Sequence, residues 1–355
     1  MLLQTVYPGL GGAGTVAFDL VKYLFIKKVE NQICFFGNEK ISEDYKKELK
    51  KNKLHFHHIR YNFFLIGNLK FLIFLFKFKP NKILMHNYLI LPLLIYKLFF
   101  SIDIFTVIHT SPHKLEQTCK KNFYFKKLLD LIFIFSKKII FVNRTNSKLK
   151  ILKKFNNKIM IIPNAVDTQV FKNKPKKKNK FTSLGMALRF TEKNRVDILL
   201  DLLQKLNNKK IHFKLFLAGD GEDYNNIKNK IFINKLSGFI KLEGNLNKYK
   251  LAKFYNKLDI YIHLSDYEFM STSLLQAMSC ELRIIASNLY ENKFIIKASK
   301  KNLFVKNNIN YIASKIENLV KNKKIRSTVT ENRAYVNFNN SMFKVGEKYL
   351  KTLSL

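Results

Sequence analysis

Residues 267–280 read YEFMSTSLLQAMSC, from Tyr267 to Cys280. A single carboxylate, Glu268, stands at the mouth of a turn of small residues, and apolar and small residues then open a helix. Free N–H groups at a helix N-terminus receive an anion or a polar ligand, and a carboxylate beside them suits sugar hydroxyls better than phosphate. The stretch therefore predicts a nucleotide-sugar site. It follows the apolar strand DIYIHLS, so it forms one strand-to-helix step of a parallel α/β sheet.

The same alternation extends in both directions. Towards the N-terminal side of the second half run FTSLGMALRF, RVDILLDLLQKL, HFKLFLAGDG, a helix to Leu236, FIKLEGN and KLAKFYNKL; beyond the helix follow RIIASN and LFVKN. The first half repeats the pattern with LLQTVYP, VAFDLVKYLF, QICFFG, KILMHN, LPLLIYKLFF, IFTVIHT and KIIFVN. Continuous apolar runs of this length are buried parallel strands, and the segments between them have helical length. At 355 residues the chain exceeds one core of roughly 250 to 300, so two α/β domains are expected. The first ends near Asn157. The crossing follows in KIMIIPNAVDTQVFKNKPKKKNKF, marked by Pro163, Pro175 and a lysine run, and the tail from about Asn337 to Leu355 is expected to be helical.

With 64 Lys+Arg against 25 Asp+Glu the formal net charge is +39, which attracts polyanions, although a Lys-, Asn-, Ile- and Phe-rich genome composition also contributes. No RNA-binding or helix-turn-helix signature accompanies the charge, so nucleic acid is not the expected partner. Cys34, Cys119 and Cys280 have neither CxxC nor metal-ligand spacing, which fits a reducing, cytoplasmic setting without structural zinc. The N-terminus reads as a strand entering a loop rather than as a signal peptide. Phe63–Phe78 and Leu89–Ile108 are strongly apolar but interrupted by Lys70, Lys77, Lys97 and Asp103. They read as buried helix and strand, with an interfacial helix at Phe63–Phe78 as the alternative.

Four further constellations carry chemistry. The loop Gly9–Gly14 follows the first strand and opens a helix, where backbone passes close to a ligand; out of register with G-x-G-x-x-G, it does not predict a dinucleotide site. His109 ends the strand IFTVI, ahead of Thr110, Ser111, Pro112 and His113, at the sheet edge where ligands of open α/β folds gather. Arg189 and Lys193, in LRFTEKN, place cations near a helix start, where fixed positive charge stabilises a departing diphosphate. Gly219, Asp220 and Gly221 form a strand-end turn that serves either a left-handed backbone or a nucleotide pocket.

Together these segments resemble the retaining glycosyltransferases of family 4, whose signature reads E-G-F-x-x-x-x-x-E-A-M-A-x-G. Glu268 keeps the first Glu, Gln276 replaces the second, and Phe269 and Glu281 stand where glycines are expected. The order Gly219-Asp220-Gly221, Glu243-Gly244, Leu258-Asp259, His263-Leu264-Ser265, Glu268 follows the family, and Pro163-Asn164-Ala165-Val166-Asp167 matches its P-N-G-V-D. The resemblance implies a GT-B fold: two facing Rossmann-like domains with an interdomain cleft, an acceptor domain at 1–160, a nucleotide-sugar domain at 161–336, and a tail at 337–355 crossing back. It implies that Gly11 and Gly12 approach the donor, that His109 rather than His113 positions the transferring sugar, and that Arg189 and Lys193 bind phosphate. In the family pattern R-x-x-x-x-K-G a gapless alignment puts Asn194 at the lysine position, so Lys193 or Arg195 supplies the second charge. Glu268 would hold the sugar hydroxyls and Gln276 the ribose, with Ser271 and Thr272 in the donor-binding turn.

The expected activity is hexosyl transfer from a nucleotide sugar, taken as UDP-linked, to a glycan or lipid-linked acceptor in lipopolysaccharide or capsule assembly. No cofactor or metal is expected, since Lys and Arg can replace a divalent cation at the phosphates. The expected location is cytoplasmic, with peripheral contact to anionic inner-membrane lipid. Alternatives are a degenerate binding protein, motivated by Gln276 and the replaced glycines, and a nucleotide-sugar epimerase, for which no acid–base pair is legible.

Overall fold

The apolar runs of the first half form strands β1 (Leu2–Val6), β2 (Asn31–Phe36), β3 (Phe56–Ile59), β4 (Lys82–Met85), β5 (Asp103–Ile108), β6 (Lys138–Phe141) and β7 (Ile159–Ile161). They pair in the order β3-β2-β1-β4-β5-β6-β7, all parallel. Those of the second half form β8 (Thr182–Ala187), β9 (Phe213–Ala218), β10 (Ile240–Gly244), β11 (Ile260–His263), β12 (Arg283–Ser287) and β13 (Leu303–Val305), again parallel, in the order β10-β9-β8-β11-β12-β13. Both orders reverse direction at the first strand, the Rossmann arrangement that gathers ligands at the carboxyl ends of the strands. The computed structural model describes residues 1–355 apart from 9–10, 42, 62, 144–149, 176–179, 209–210, 307 and 322–327, so most of the lysine run and the start of the glycine loop lie outside the described residues.

One compact unit consists of Met1–Ala165 with Met342–Leu355, the other of Val166–Ser341. In the second unit the strands are buried on both faces, and the two-residue side-chain period divides them between two cores. Ile260 and Ile262 of β11 pack into one cluster with Leu199, Leu203 and Ile312. Tyr261 between them packs into the other, with Leu274, Leu275 and Met278 of helix Thr272–Ser279. Removing any one of these fully buried side chains to Ala costs about 2–5 kcal/mol by transfer and cavity terms. The helix that follows Glu268 is thus a core element, which holds its first turn steady.

Three details depart from the sequence reading. Strand β3 was not expected, because its FHHI is only half-buried at the sheet edge and lacks a continuous apolar run. The tail is two helices, Thr330–Asn339 in the second unit and Met342–Leu353 in the first, where it packs on helix Gly12–Ile26 and Tyr23 Oη donates to Glu347 at 2.6 Å. Helix Phe64–Phe78 is not wholly buried: Phe71 and Leu75 are covered, while Leu65 and Leu69 are exposed, because only one side of the helix has the sheet beneath it.

Arg333 ties the second unit together. Its guanidinium donates to the carbonyls of Thr168 and Phe171, each at 3.1 Å, and to that of Ser279 at 2.7 Å, at the C-terminal end of helix Thr272–Ser279. A cation there satisfies terminal carbonyls and complements the helix dipole. Arg333→Met is expected to lower unfolding free energy by about 1.5–3 kcal/mol, the range for charged hydrogen bonds, measured by urea denaturation.

Candidate functional site

The loop after β8 is built around Asn194, which is almost fully buried. Its Nδ2 donates to the Arg189 carbonyl at 2.5 Å and to Thr191 Oγ1 at 3.2 Å, and its Oδ1 accepts from Ser265 Oγ at 3.4 Å. The single Ser265 hydroxyl proton is shared with the closer Tyr267 carbonyl at 2.8 Å. Asn194 therefore locks this loop to the one that carries Glu268, and it serves structure rather than phosphate charge. Arg195, with a left-handed φ of 45°, pairs with Asp266 at 3.3 Å beside the same loop. The side chains of Lys193 and His113 lie outside the described residues.

Arg189 projects into solvent, where among the described residues it makes an exposed pair with Glu222 at 3.6 Å, a contact worth little in high dielectric. It can therefore turn to an anion at small cost. Next to it runs the turn after β9. Phe190 N donates to the Asp220 carbonyl at 3.0 Å and Asp223 N to the Phe190 carbonyl at 3.2 Å. At Gly219, φ is 136° and a Cβ would lie 1.9 Å from the Leu188 carbonyl oxygen; at Gly221 it would lie 2.3 Å from that of Phe190. These glycines are required by backbone approach. Asp220 is exposed and accepts from Gly221 N at 2.8 Å.

Glu268 stands 3.6 Å from Nε2 of the buried His263 at the end of β11, a residue that the sequence places in the family order without a role because it ends an apolar strand. Ser271 caps helix Thr272–Ser279, its Oγ accepting from Leu274 N at 3.3 Å and bonding Ser273 Oγ at 3.0 Å. Thr272 opens the helix. Gln276 is buried and accepts from Tyr255 Oη at 3.2 Å, so one lone pair of its amide oxygen is already used. Asp167 of the P-N-A-V-D segment is structural: despite burial, Lys248 at 2.8 Å and the amides of Gln169 and Val170 hold its carboxyl below the ordinary range.

In the first domain, Gly11 caps helix Gly12–Ile26, and among the described residues nothing lies within 4 Å of where its Cβ would be. Adjacent strands β4 and β5 are followed directly by His86 and His109, whose Nδ1 and Nε2 atoms are 2.9 Å apart. Burial pushes His109 down to about 4 and His86, also opposed by His109, well below its usual value. The other nitrogen of His86 is buried without a hydrogen-bond partner among the described residues. An unmet lone pair costs less than an unmet N–H, which favours His86 Nδ1–H donating to His109 Nε2 and leaves His109 with a proton on Nδ1. A neutral hydrogen-bond donor results, rather than a cation.

Gly11, Gly12 and His109 thus share one sheet edge, and Arg189, Gly219, Asp220, Gly221, Glu268, Ser271, Thr272 and Gln276 belong to the other unit. Residues 167–335, nearly all of that unit, match the model of the family described as glycosyl transferases group 1. The second domain is a glycosyl transferases group 1 domain. Through that domain the chain is a glycosyltransferase, and the fold it shares with solved structures is GT-B. It is 28% identical over 344 residues to the uncharacterized glycosyltransferase MJ1178 of Methanocaldococcus jannaschii, covering 92% of this chain and 89% of that one. Over 139 residues, 37% of this chain and 30% of the other, it is 26% identical to the GPI3 subunit of phosphatidylinositol N-acetylglucosaminyltransferase of Saccharomyces cerevisiae. Among solved structures, Anabaena HepE in complex with UDP and glucose matches with a TM-score of 0.82 at 14% identity, over 99% of both chains.

Gly219→Ala is expected to destabilise the glycosyltransferase by more than about 2 kcal/mol in urea denaturation, as overpacking and strain combine, whereas Asp220→Ala changes stability by less than about 0.5 kcal/mol. The histidine pair predicts a pH effect. A histidine whose folded pKa is depressed binds its proton more weakly folded than unfolded, so stability is retained above the unfolded value and lost as pH falls from about 6.5 towards 4. Melting temperature should drop over that window, and the drop should be smaller in His86→Asn/His109→Asn than in the wild type.

Proposed function

We propose that this glycosyltransferase moves a sugar from a UDP-linked donor to a glycan or lipid-linked acceptor with retention of anomeric configuration, as in family 4, during assembly of lipopolysaccharide, capsule or a related surface glycan. The observation that carries the reading is the Glu268 loop: one carboxylate, 3.6 Å from His263 and on a loop tied to its neighbour by the Asn194–Ser265 bond, ahead of a capped helix in a group 1 domain. HepE is solved with UDP and glucose, and GPI3 belongs to an enzyme named for a phosphatidylinositol acceptor; both are properties of those proteins that motivate the reading.

In this reading the bond between the anomeric carbon and the diphosphate oxygen breaks, the acceptor oxygen bonds to that carbon, and the acceptor proton leaves with the diphosphate. Negative charge grows on the departing group. Arg189, with Lys193 or Arg195, opposes it, and fixed charge acting on developing charge is a large catalytic term. No metal is required at the phosphates when guanidinium and ammonium groups serve there. Glu268 accepts from donor sugar hydroxyls, and Gly219, Asp220, Gly221, Ser271 and Thr272 line the donor side. Gln276 meets the ribose with the lone pair and N–H groups that Tyr255 leaves, a weaker anchor than a carboxylate. The first domain takes the acceptor, with Gly11 and Gly12 supplying amides and His109 an Nδ1–H donor towards the sugar. Peripheral contact with anionic inner-membrane lipid would bring a lipid-linked acceptor within reach.

The test is the melting temperature of the purified protein with UDP, GDP, ADP and CMP. A ligand at a hundredfold excess over its Kd stabilises the folded state by about 2.7 kcal/mol. UDP should raise the melting temperature, Arg189→Ala should remove the shift, and Glu268→Ala should keep it while abolishing UDP-sugar turnover. No shift with any nucleotide would replace this reading with a degenerate glycan-binding protein.

A further inference from the structure

Three helices of the first domain turn apolar side chains to solvent. In helix Phe64–Phe78, Leu65, Ile66, Leu69 and Ile73 share the exposed side, with Leu65 82% exposed. Helix Ile90–Phe99 buries Ile90, Leu93 and Tyr96 but leaves Leu91, Ile95 and Leu98 open at i, i+4 and i+7. Helix Phe123–Phe135 exposes Phe123, Tyr124, Ile134 and Phe135. The first helix packs on the second and the second on the third, and the Phe76 ring meets those of Tyr96 and Phe99. All three serve crossovers stepping the same way along the sheet, β3 to β4, β4 to β5 and β5 to β6, so right-handed connection puts them on one face. The tail helix packs on helix Gly12–Ile26, whose β1-to-β2 crossover steps the opposite way.

Helices apolar on every side are normally enclosed by protein or lipid, and a contiguous apolar surface marks an interaction. Charge identifies the partner. Lys70, Lys77, Lys97, Lys126 and Lys127 are exposed on these helices, the first two helices carry no acidic residue, and Asp130 on the third is half-buried. Two copies meeting through this face would bring lysines against lysines, which opposes association. An anionic surface with an apolar interior accepts both kinds of side chain. No helix among the described residues is long and apolar enough to cross a membrane, so the contact is one of lying on the surface.

We propose that these three helices form a docking face for an anionic lipid bilayer. Their Leu, Ile and Phe side chains enter the acyl boundary, Tyr124 sits at headgroup level, and the lysine stems reach along the apolar surface to place ammonium groups on phosphates. The inference rests on the membrane contact proposed above and deepens it by naming the face that makes it; its test needs lipid alone, so it can fail while the proposed reaction stands.

The full chain is floated with vesicles of phosphatidylcholine alone or mixed with phosphatidylglycerol. The wild type should float with the mixed vesicles and remain below with phosphatidylcholine, and high salt should release most of it. Leu65→Ser/Leu69→Ser/Ile73→Ser and Lys70→Glu/Lys77→Glu should each weaken vesicle binding by more than about tenfold, through lost apolar burial in the first and lost attraction to anionic headgroups in the second. Phe232→Ser/Ile233→Ser, equally exposed on the second domain, should float like the wild type. Unchanged melting curves of the variants exclude misfolding. The proposal is overturned if the wild type does not float, if the control variant loses binding as the patch variants do, or if light scattering shows a dimer that the Leu/Ile variant dissociates.

Discussion

The backbone contact between the loops after β8 and β9 is the constraint on which the second domain's edge depends. Leu188 N reaches the Ala218 carbonyl at 3.1 Å and Phe190 N the Asp220 carbonyl at 3.0 Å, a separation that leaves no room for a side chain at residues 219 or 221. Because the two loops are joined by main chain, the intervening Arg189 is directed outward while its neighbours are fixed. Asn194 then extends the lock sideways to Ser265, so that three successive strand ends, those of β9, β8 and β11, carry one connected set of loops. The edge is organised before any ligand arrives, and little reorganisation is left for the binding step.

Behind that edge the hydrophobic core does the positioning. Helix Thr272–Ser279 is clamped at its start by Ser271 and at its end by Arg333, with Leu274, Leu275 and Met278 buried between. Glu268 is thereby carried by a short loop between two rigid elements, β11 and this helix. A carboxylate held in that way accepts hydroxyl donors without first ordering its own backbone. His263, 3.6 Å from it, is buried, so their interaction is less screened than it would be in water.

Much of this was legible in the residues. Runs such as KLFLA and IYIH are long enough and apolar enough to be strands buried on both faces, and their alternation with helical stretches gives the two parallel sheets. The β3 strand was not legible, because an edge strand needs burial on one side only and FHHI carries no continuous apolar signal. Nor was the exposed side of helix Phe64–Phe78: hydropathy records that all its faces are apolar, and only packing reveals which is covered. At the site, Glu268 and Arg189 follow from local pattern. Asn194 as a buried lock, Tyr255 on Gln276 and the His86–His109 bond join residues distant in sequence, so no local pattern could supply them.

The central claim is that the second domain reads a nucleoside diphosphate through cations and amides at its strand ends. Titration calorimetry of UDP, UMP and uridine into the purified protein, at low and high salt, tests it most directly. The account predicts that affinity falls at each loss of phosphate and that salt weakens UDP far more than uridine. Equal affinity for all three, or none for UDP, would contradict it.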